Sequence, residues 1–157
     1  MAETEKYYEQ GIPQTKQNER FVPDVYMYQG VPHVGYGFNL TDKNMRSLID
    51  PAIIAGQRKM TRDEADKIFM VKYNQAARDA FNFTGSDAML NLTPKQQAVL
   101  VDMSYNLGGP RLNTFVEMQK AIRAGDIQRA ASEMKDSKWY NQVGDRGKRN
   151  VLTFGGK

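Results

Sequence analysis

Between Asn18 and Leu40 the chain reads NERFVPDVYMYQGVPHVGYGFNL, a stretch that sets two carboxylates, three tyrosines and the single histidine close together. Glu19 leads the stretch, Asp24 follows, and Tyr26, Tyr28 and His33 come next, before the glycine-bracketed turn Gly35-Tyr36-Gly37. A carboxylate set beside apolar walls has its charged form disfavoured, so it can hold a proton and donate it near neutral pH. Glu19, followed by an extended segment able to fold back over it, is the candidate general acid. A neutral imidazole, titrating near ~6.5 in free solution, is available as a base. Phenols titrate near ~10 and make poorer bases, so Tyr28 ranks behind His33. For an arbitrary glutamate the simpler reading is a solvent-facing charge.

Composition narrows the chemistry. The chain has 157 residues, no cysteine and one histidine. Disulfides and thiolate metal sites are therefore excluded, and a histidine-rich metal site or a Ser-His-Asp protease is disfavoured by counting. Neither metal nor cofactor is called for. Hydrophobic residues make up 40%, enough for a real core at this length. No apolar run approaches the ~20 residues of a membrane helix. The opening MAETEKYYEQ lacks the charged-then-apolar pattern of a signal peptide. The formal net charge of +4 suits a polyanionic partner such as nucleic acid, an anionic membrane face or an acidic wall polymer. No nucleic-acid-binding motif accompanies it.

The elements that must position these residues follow from local signals. Residues 1–17 are polar and read as a mobile arm or a short entry helix. From Val25 to Phe38, β-favouring residues alternate with Gly30, Pro32, Gly35 and Gly37, as in a small sheet of two or three strands. Thr41 can cap a helix carrying Met45, Leu48 and Ile49. Thr61 and Glu64 form a capping-box pattern before Ala65, Ile68, Phe69, Ala76 and Ala80. Thr93 to Gln96 repeats that signal, with Pro94 in the first turn. The helix through Ala98 to Leu107 is apolar nearly all round and should be the buried one, stopped by Gly108-Gly109-Pro110. Asn113 and Asp126 can cap two more helices, and a last short one lies near Asp145 to Thr153. The order predicts an α+β fold: a small N-terminal β-hairpin lobe joined by a long helix to a helical C-terminal lobe. A cleft between lobes is a usual place for a ligand.

Four stretches together resemble the phage-type lysozymes, the family of the T-even phage lysozyme. Glu19, Tyr26, Gly30 and the turn HVGYGF are similar to that family's catalytic hairpin. MTRDEADKIF, from Met60 to Phe69, resembles the start of its interlobe helix. MSYNLGG, from Met103 to Gly109, resembles a loop lining its cleft. SKWYNQVGDRGKRNVLTF, from Ser137 to Phe154, resembles its C-terminal segment and is the most specific of the four. The resemblance implies a single lysozyme-like domain over 1–157, with a catalytic β-containing lobe at 18–60, an interlobe helix at 61–80 and a helical lobe at 81–157. It implies a muramidase that cleaves the β-1,4 bond between N-acetylmuramic acid and N-acetylglucosamine in bacterial cell walls.

Under that resemblance Glu19 takes the general acid's place, and Arg146 falls where the family has an arginine contacting that glutamate. Tyr26, Gly37, Tyr105, Asn106, Lys138 and Asn141 fall along the sugar cleft or its support. The family's second carboxylate, expected two residues after Tyr26, is replaced by Tyr28. The threonine expected before the turn is His33. The loop Tyr28-Gln29-Gly30 is about one residue short, and no motif moves the carboxylate's role to Asp24. Trp139 and Tyr140 suit core packing with a polar edge. Lys148 and Arg149 suit a solvated basic face, whereas the guanidinium of Arg146 is equally suited to hold a partly buried carboxylate.

The missing carboxylate keeps two alternatives beside the muramidase. One is a lytic transglycosylase working with Glu19 alone. The other is a catalytically impaired wall-binding or virion structural module. The expected partner is peptidoglycan, with no nucleic acid, no stable membrane insertion and a monomeric chain. Synthesis in the host cytoplasm without a signal peptide and action at the periplasm or cell wall fit both a free endolysin and a particle component.

Overall fold

The computed structural model describes residues 2–156. It divides into two compact units, one of Gln14–Lys72 and one of Met1–Pro13 with Tyr73–Lys157. The fold is α+β, with one small antiparallel sheet near the N-terminus and helices elsewhere.

The first helix, α1, runs Ala2–Glu19, longer than its polar composition suggests. Tyr7 is buried, with Phe81 centred 6.5 Å from its ring, and Tyr8 stands edge-on to Tyr73 at 5.1 Å. The Tyr8 hydroxyl donates to Asn74 Oδ1 at 2.6 Å. These aromatic anchors decide between the arm and the entry helix in favour of the helix, because tertiary burial rather than propensity stabilises most helices. Pro13 lies inside the helix at the boundary of the two units. Arg20 ends the helix at φ +63, its N–H bonded to the Lys16 carbonyl at 2.8 Å.

In the unit Gln14–Lys72, β1 (Val22–Tyr28), β2 (Val31–Gly35) and β3 (Phe38–Asn39) form the sheet in the order β1-β2-β3. The first strand begins three residues before the expected Val25, opposite Gly35. Tyr28 pairs with Val31 across a two-residue turn in which Gln29 and Gly30 both have positive φ, the signature of the tight turn that matches strand twist. Short helices α2 (Lys43–Ser47) and α3 (Pro51–Ile54) follow. Asp42, not Thr41, caps α2: its carboxylate accepts from the Asn44 and Met45 amides, while Thr41 is bound through both N and Oγ1 to Asn39 Oδ1. The unit's core gathers Val34, Tyr36, Phe38, Leu40, Met60 and Phe69.

Helix α4 spans Arg62–Thr84. Its capping box is complete: the Glu64 amide donates to Thr61 Oγ1 at 3.1 Å and the Thr61 amide to Glu64 Oε1 at 2.8 Å. The division between units falls within it, between Lys72 and Tyr73. Beyond it come α5 (Ser86–Leu90), α6 (Pro94–Leu107), α7 (Gly109–Leu112), α8 (Val116–Arg123), α9 (Ile127–Lys135), α10 (Lys138–Val143) and α11 (Asp145–Gly155). Helix α6 carries the second capping box, from Thr93 and Gln96, and is buried from Val99 through Tyr105. Asn113 finishes α7 by donating to Gly109, so α8 begins later, after Phe115.

Candidate functional site

Glu19 is the last residue of α1 and is half-buried. The Gly-Tyr-Gly turn packs against it. Gly37 has φ +71, and a Cβ built there would overlap Glu19 Oε1. Glycine is required twice over, for the left-handed backbone and for the approach of the carboxylate. Tyr36, between the two glycines, is held by its hydroxyl's donation to Asp66 at 3.0 Å and by the edge-on ring of Phe69 at 5.5 Å. The turn behind Glu19 is thus held by two residues of α4.

On the same hairpin His33 is flanked by two tyrosines. Tyr26 is its partner across β1 and β2, and their rings stack with centroids 5.7 Å apart and planes 25° apart. Tyr28 meets it edge-on at 5.9 Å. Residues two apart on a strand share a face, so β1 offers both rings to one partner. Burial pushes the Tyr26 phenol above its usual pKa, helped by the negative charge of Glu19 and by Tyr28. Tyr28 itself is 53% exposed, next to the equally open Met27.

Asp24 is the one other carboxylate between Glu19 and Leu40. From Val22 to Tyr26, β1 advances four positions while β2 advances two, and Asp24 lies in that bulge. Its exposed carboxylate pairs with Lys59.

The unit of Met1–Pro13 with Tyr73–Lys157 holds the remaining candidates. Arg146 is buried, 9% exposed, and Asp102 2%. Arg146 Nε donates to Asp102 Oδ2 at 2.9 Å and one Nη to Oδ1 at 3.0 Å, while Asn150 Nδ2 adds a bond to Oδ2 at 2.8 Å. Arg146 is therefore no part of a solvated face, unlike the exposed Lys148 and Arg149. Asp102 was not singled out from sequence. Its signal is that it supplies the one charge within the apolar run Ala98 to Leu107, and a buried charge needs a partner. Trp139 is buried and donates from Nε1 to Asn106 Oδ1 at 2.9 Å, while Asn106, Lys138 and Asn141 are exposed. Tyr105 is only 2% exposed and packs near Tyr73. A groove of about 480 Å³ is lined by Trp139, Phe115, Lys138, Arg111, Glu117 and Glu133, among others.

Among the described residues no cluster of His, Asp or Glu is placed to hold a metal, and no helix is long and apolar enough to cross a membrane.

The family model described as phage lysozyme matches residues 16–152. The match takes in Glu19, the hairpin, α4, α6 and Arg146. The chain belongs to the phage lysozyme family. Membership places the chain among the phage lysozymes that act on the peptidoglycan of the bacterial cell wall. The three-stranded sheet followed by a run of helices is the α+β arrangement expected of such an enzyme.

Proposed function

We propose that the protein is a muramidase that hydrolyses the β-1,4 bond between N-acetylmuramic acid and N-acetylglucosamine, with Glu19 as general acid. The observation that carries this reading is the seat of Glu19: a half-buried carboxylate at a helix end, backed by a glycine with no room for a side chain. In the proposed reaction Glu19 gives its proton to the glycosidic oxygen as the bond to the anomeric carbon breaks, and the bonding pair stays with that oxygen. Water forms the new bond to the anomeric carbon. His33 removes the water's proton, in place of the family's second carboxylate. Asn106, Lys138 and Asn141 contact the glycan or its peptide, a role that rests on the resemblance.

A second reading is favoured by the state of Asp24, which is exposed and paired with Lys59. With no carboxylate to spare on the hairpin, Glu19 alone can serve a lytic transglycosylase, in which the muramic acid's own 6-hydroxyl attacks. Mass spectrometry of digested sacculi separates the two. Reducing muramic acid ends support hydrolysis by the muramidase; anhydro-muramic ends support the transglycosylase. Failure to clear a peptidoglycan zymogram supports instead a wall-binding or virion module.

A further inference from the structure

His33 is the chain's one histidine, and the hairpin constrains both the plane of its ring and the place of its proton. Its Nδ1 lies 2.9 Å from the Val31 carbonyl oxygen. A carbonyl oxygen only accepts, so the nitrogen facing it must carry hydrogen. Among the described residues Nε2 has no hydrogen-bonding partner. The bond made by one ring nitrogen sets the state of the other. Tyr26 covers one face of the ring, stacked at 5.7 Å, and Tyr28 closes on it edge-on at 5.9 Å. Tyr26 is also the cross-strand partner of His33 in the sheet, so its ring is directed there by the register.

We propose that the Val31 carbonyl and the ring of Tyr26 hold His33 as its Nδ1–H tautomer, leaving Nε2 as the nitrogen that meets water or substrate. Tyr26 is then a positioning residue that acts through His33, rather than a sugar contact. The inference rests on, and deepens, the reading of His33 as the proton acceptor. An imidazole free to flip would offer its lone pair in two directions and in both tautomers. Tied at Nδ1 and stacked on one face, it offers one lone pair in one direction, and such fixed geometry is a large part of what a catalytic base contributes. The raised pKa of the Tyr26 phenol agrees with a ring sunk into the hairpin beside Glu19.

A single histidine makes the test direct. Long-range nitrogen–proton correlation spectra of the full ¹⁵N-labelled chain contain one imidazole pattern. At a pH where His33 is neutral, the expected pattern is a protonated Nδ1 and an unprotonated Nε2. Tyr26→Phe keeps the stack and is expected to keep that pattern. Tyr26→Leu removes it, moving the spectrum toward the Nε2–H form, and lowers kcat about tenfold with KM within about twofold. A wild-type spectrum dominated by Nε2–H overturns the inference. So does a folded Tyr26→Leu protein with unchanged tautomer and kcat. Failure of the catalytic reading looks different: His33→Ala would stay fully active while the wild-type spectrum still showed Nδ1–H.

Discussion

Arg146 lies side-on to Asp102, with Nε and one terminal nitrogen on the two carboxylate oxygens at 2.9 and 3.0 Å. Such a fork fixes the guanidinium plane as well as its charge. The pair is buried, so removing one member strands the other in a poorly solvating place. Arg146→Ala is expected to cost about 3–5 kcal/mol. Part of any activity loss in that variant is therefore a folding loss, and turnover should be compared per folded molecule. A double-mutant cycle with Asp102→Ala should show a coupling of at least about 1 kcal/mol in denaturant unfolding. Additive single and double variants would show that the two residues do not act as a pair.

Glu19→Gln keeps the size of the side chain and removes the proton it would donate. The expected loss of turnover is roughly 10²–10⁴-fold, with an unfolding midpoint close to wild type. Turnover above about a tenth of wild type on purified peptidoglycan would remove Glu19 from the role of acid.

What was legible in the sequence was whatever is local. Both capping boxes, Thr61 with Glu64 and Thr93 with Gln96, form as their spacing predicts, because each joins groups three residues apart. The buried character of α6 was legible for a similar reason, since a helix apolar all round has nowhere else to go. The choice between arm and helix for α1 was not. It depends on Tyr7 and Tyr8 meeting Phe81 and Tyr73, far along the chain. The Asp102–Arg146 pair was hidden likewise, because sequence shows a charge in an apolar run without showing which cation answers it. At the site, the motif singled out Glu19, Gly37 and His33, but the stacking of Tyr26 on His33 is a matter of register. The bulge around Asp24 sets that register, and no residue type in the stretch announces it.

Gly37→Ala tests how closely the turn backs the acid. Alanine must adopt φ near +71 and place its methyl where Glu19 Oε1 lies. The left-handed backbone alone costs about 1–2 kcal/mol. The carboxylate must also move, so kcat should fall by more than tenfold even in the fraction that folds, on the order of the ~10²-fold that a small misplacement can cause. Unfolding curves and per-molecule rates together check this. A fully active variant that is merely less stable would show that the position of Glu19 is not held by this glycine.

Asp66 gives the unit Gln14–Lys72 a predictable response to acid. Burial, the largest single influence, pushes its carboxyl pKa up, but the bonds from Lys16 and Tyr36 and the charges of Lys16 and Arg62 outweigh it, and the net shift is downward. A depressed folded pKa contributes stability above the unfolded value near ~4, and that stability is lost as pH falls through the folded pKa. Asp66→Asn should therefore be less stable than wild type at neutral pH, with the gap narrowing below about pH 4. Urea midpoints at the two pH values decide it. A gap that stays constant or widens in acid contradicts the assignment.

The last prediction concerns what replaces the second carboxylate. His33 and Tyr28 both stand on the hairpin, 5.9 Å apart ring to ring, so sequence position alone does not choose between them. Neutral imidazole can take a proton from water, and the cationic form would oppose the positive charge building on the sugar ring. A phenol as a class gives up its proton only at high pH unless a neighbour takes it, which ranks Tyr28, 53% exposed, behind the imidazole. His33→Ala is expected to lower kcat roughly 10²-fold or more and to remove an acid limb from the pH–rate profile. His33→Thr restores the residue type that phage-type lysozymes carry at this place but not the missing carboxylate, so it should not recover the rate. Tyr28→Phe should lose less than either and keep the wild-type acid limb. All three belong on one wall preparation, with folding checked by circular dichroism. Full activity and an unchanged profile in both His33 variants, alongside loss in Tyr28→Phe, would move the role from the imidazole to the phenol.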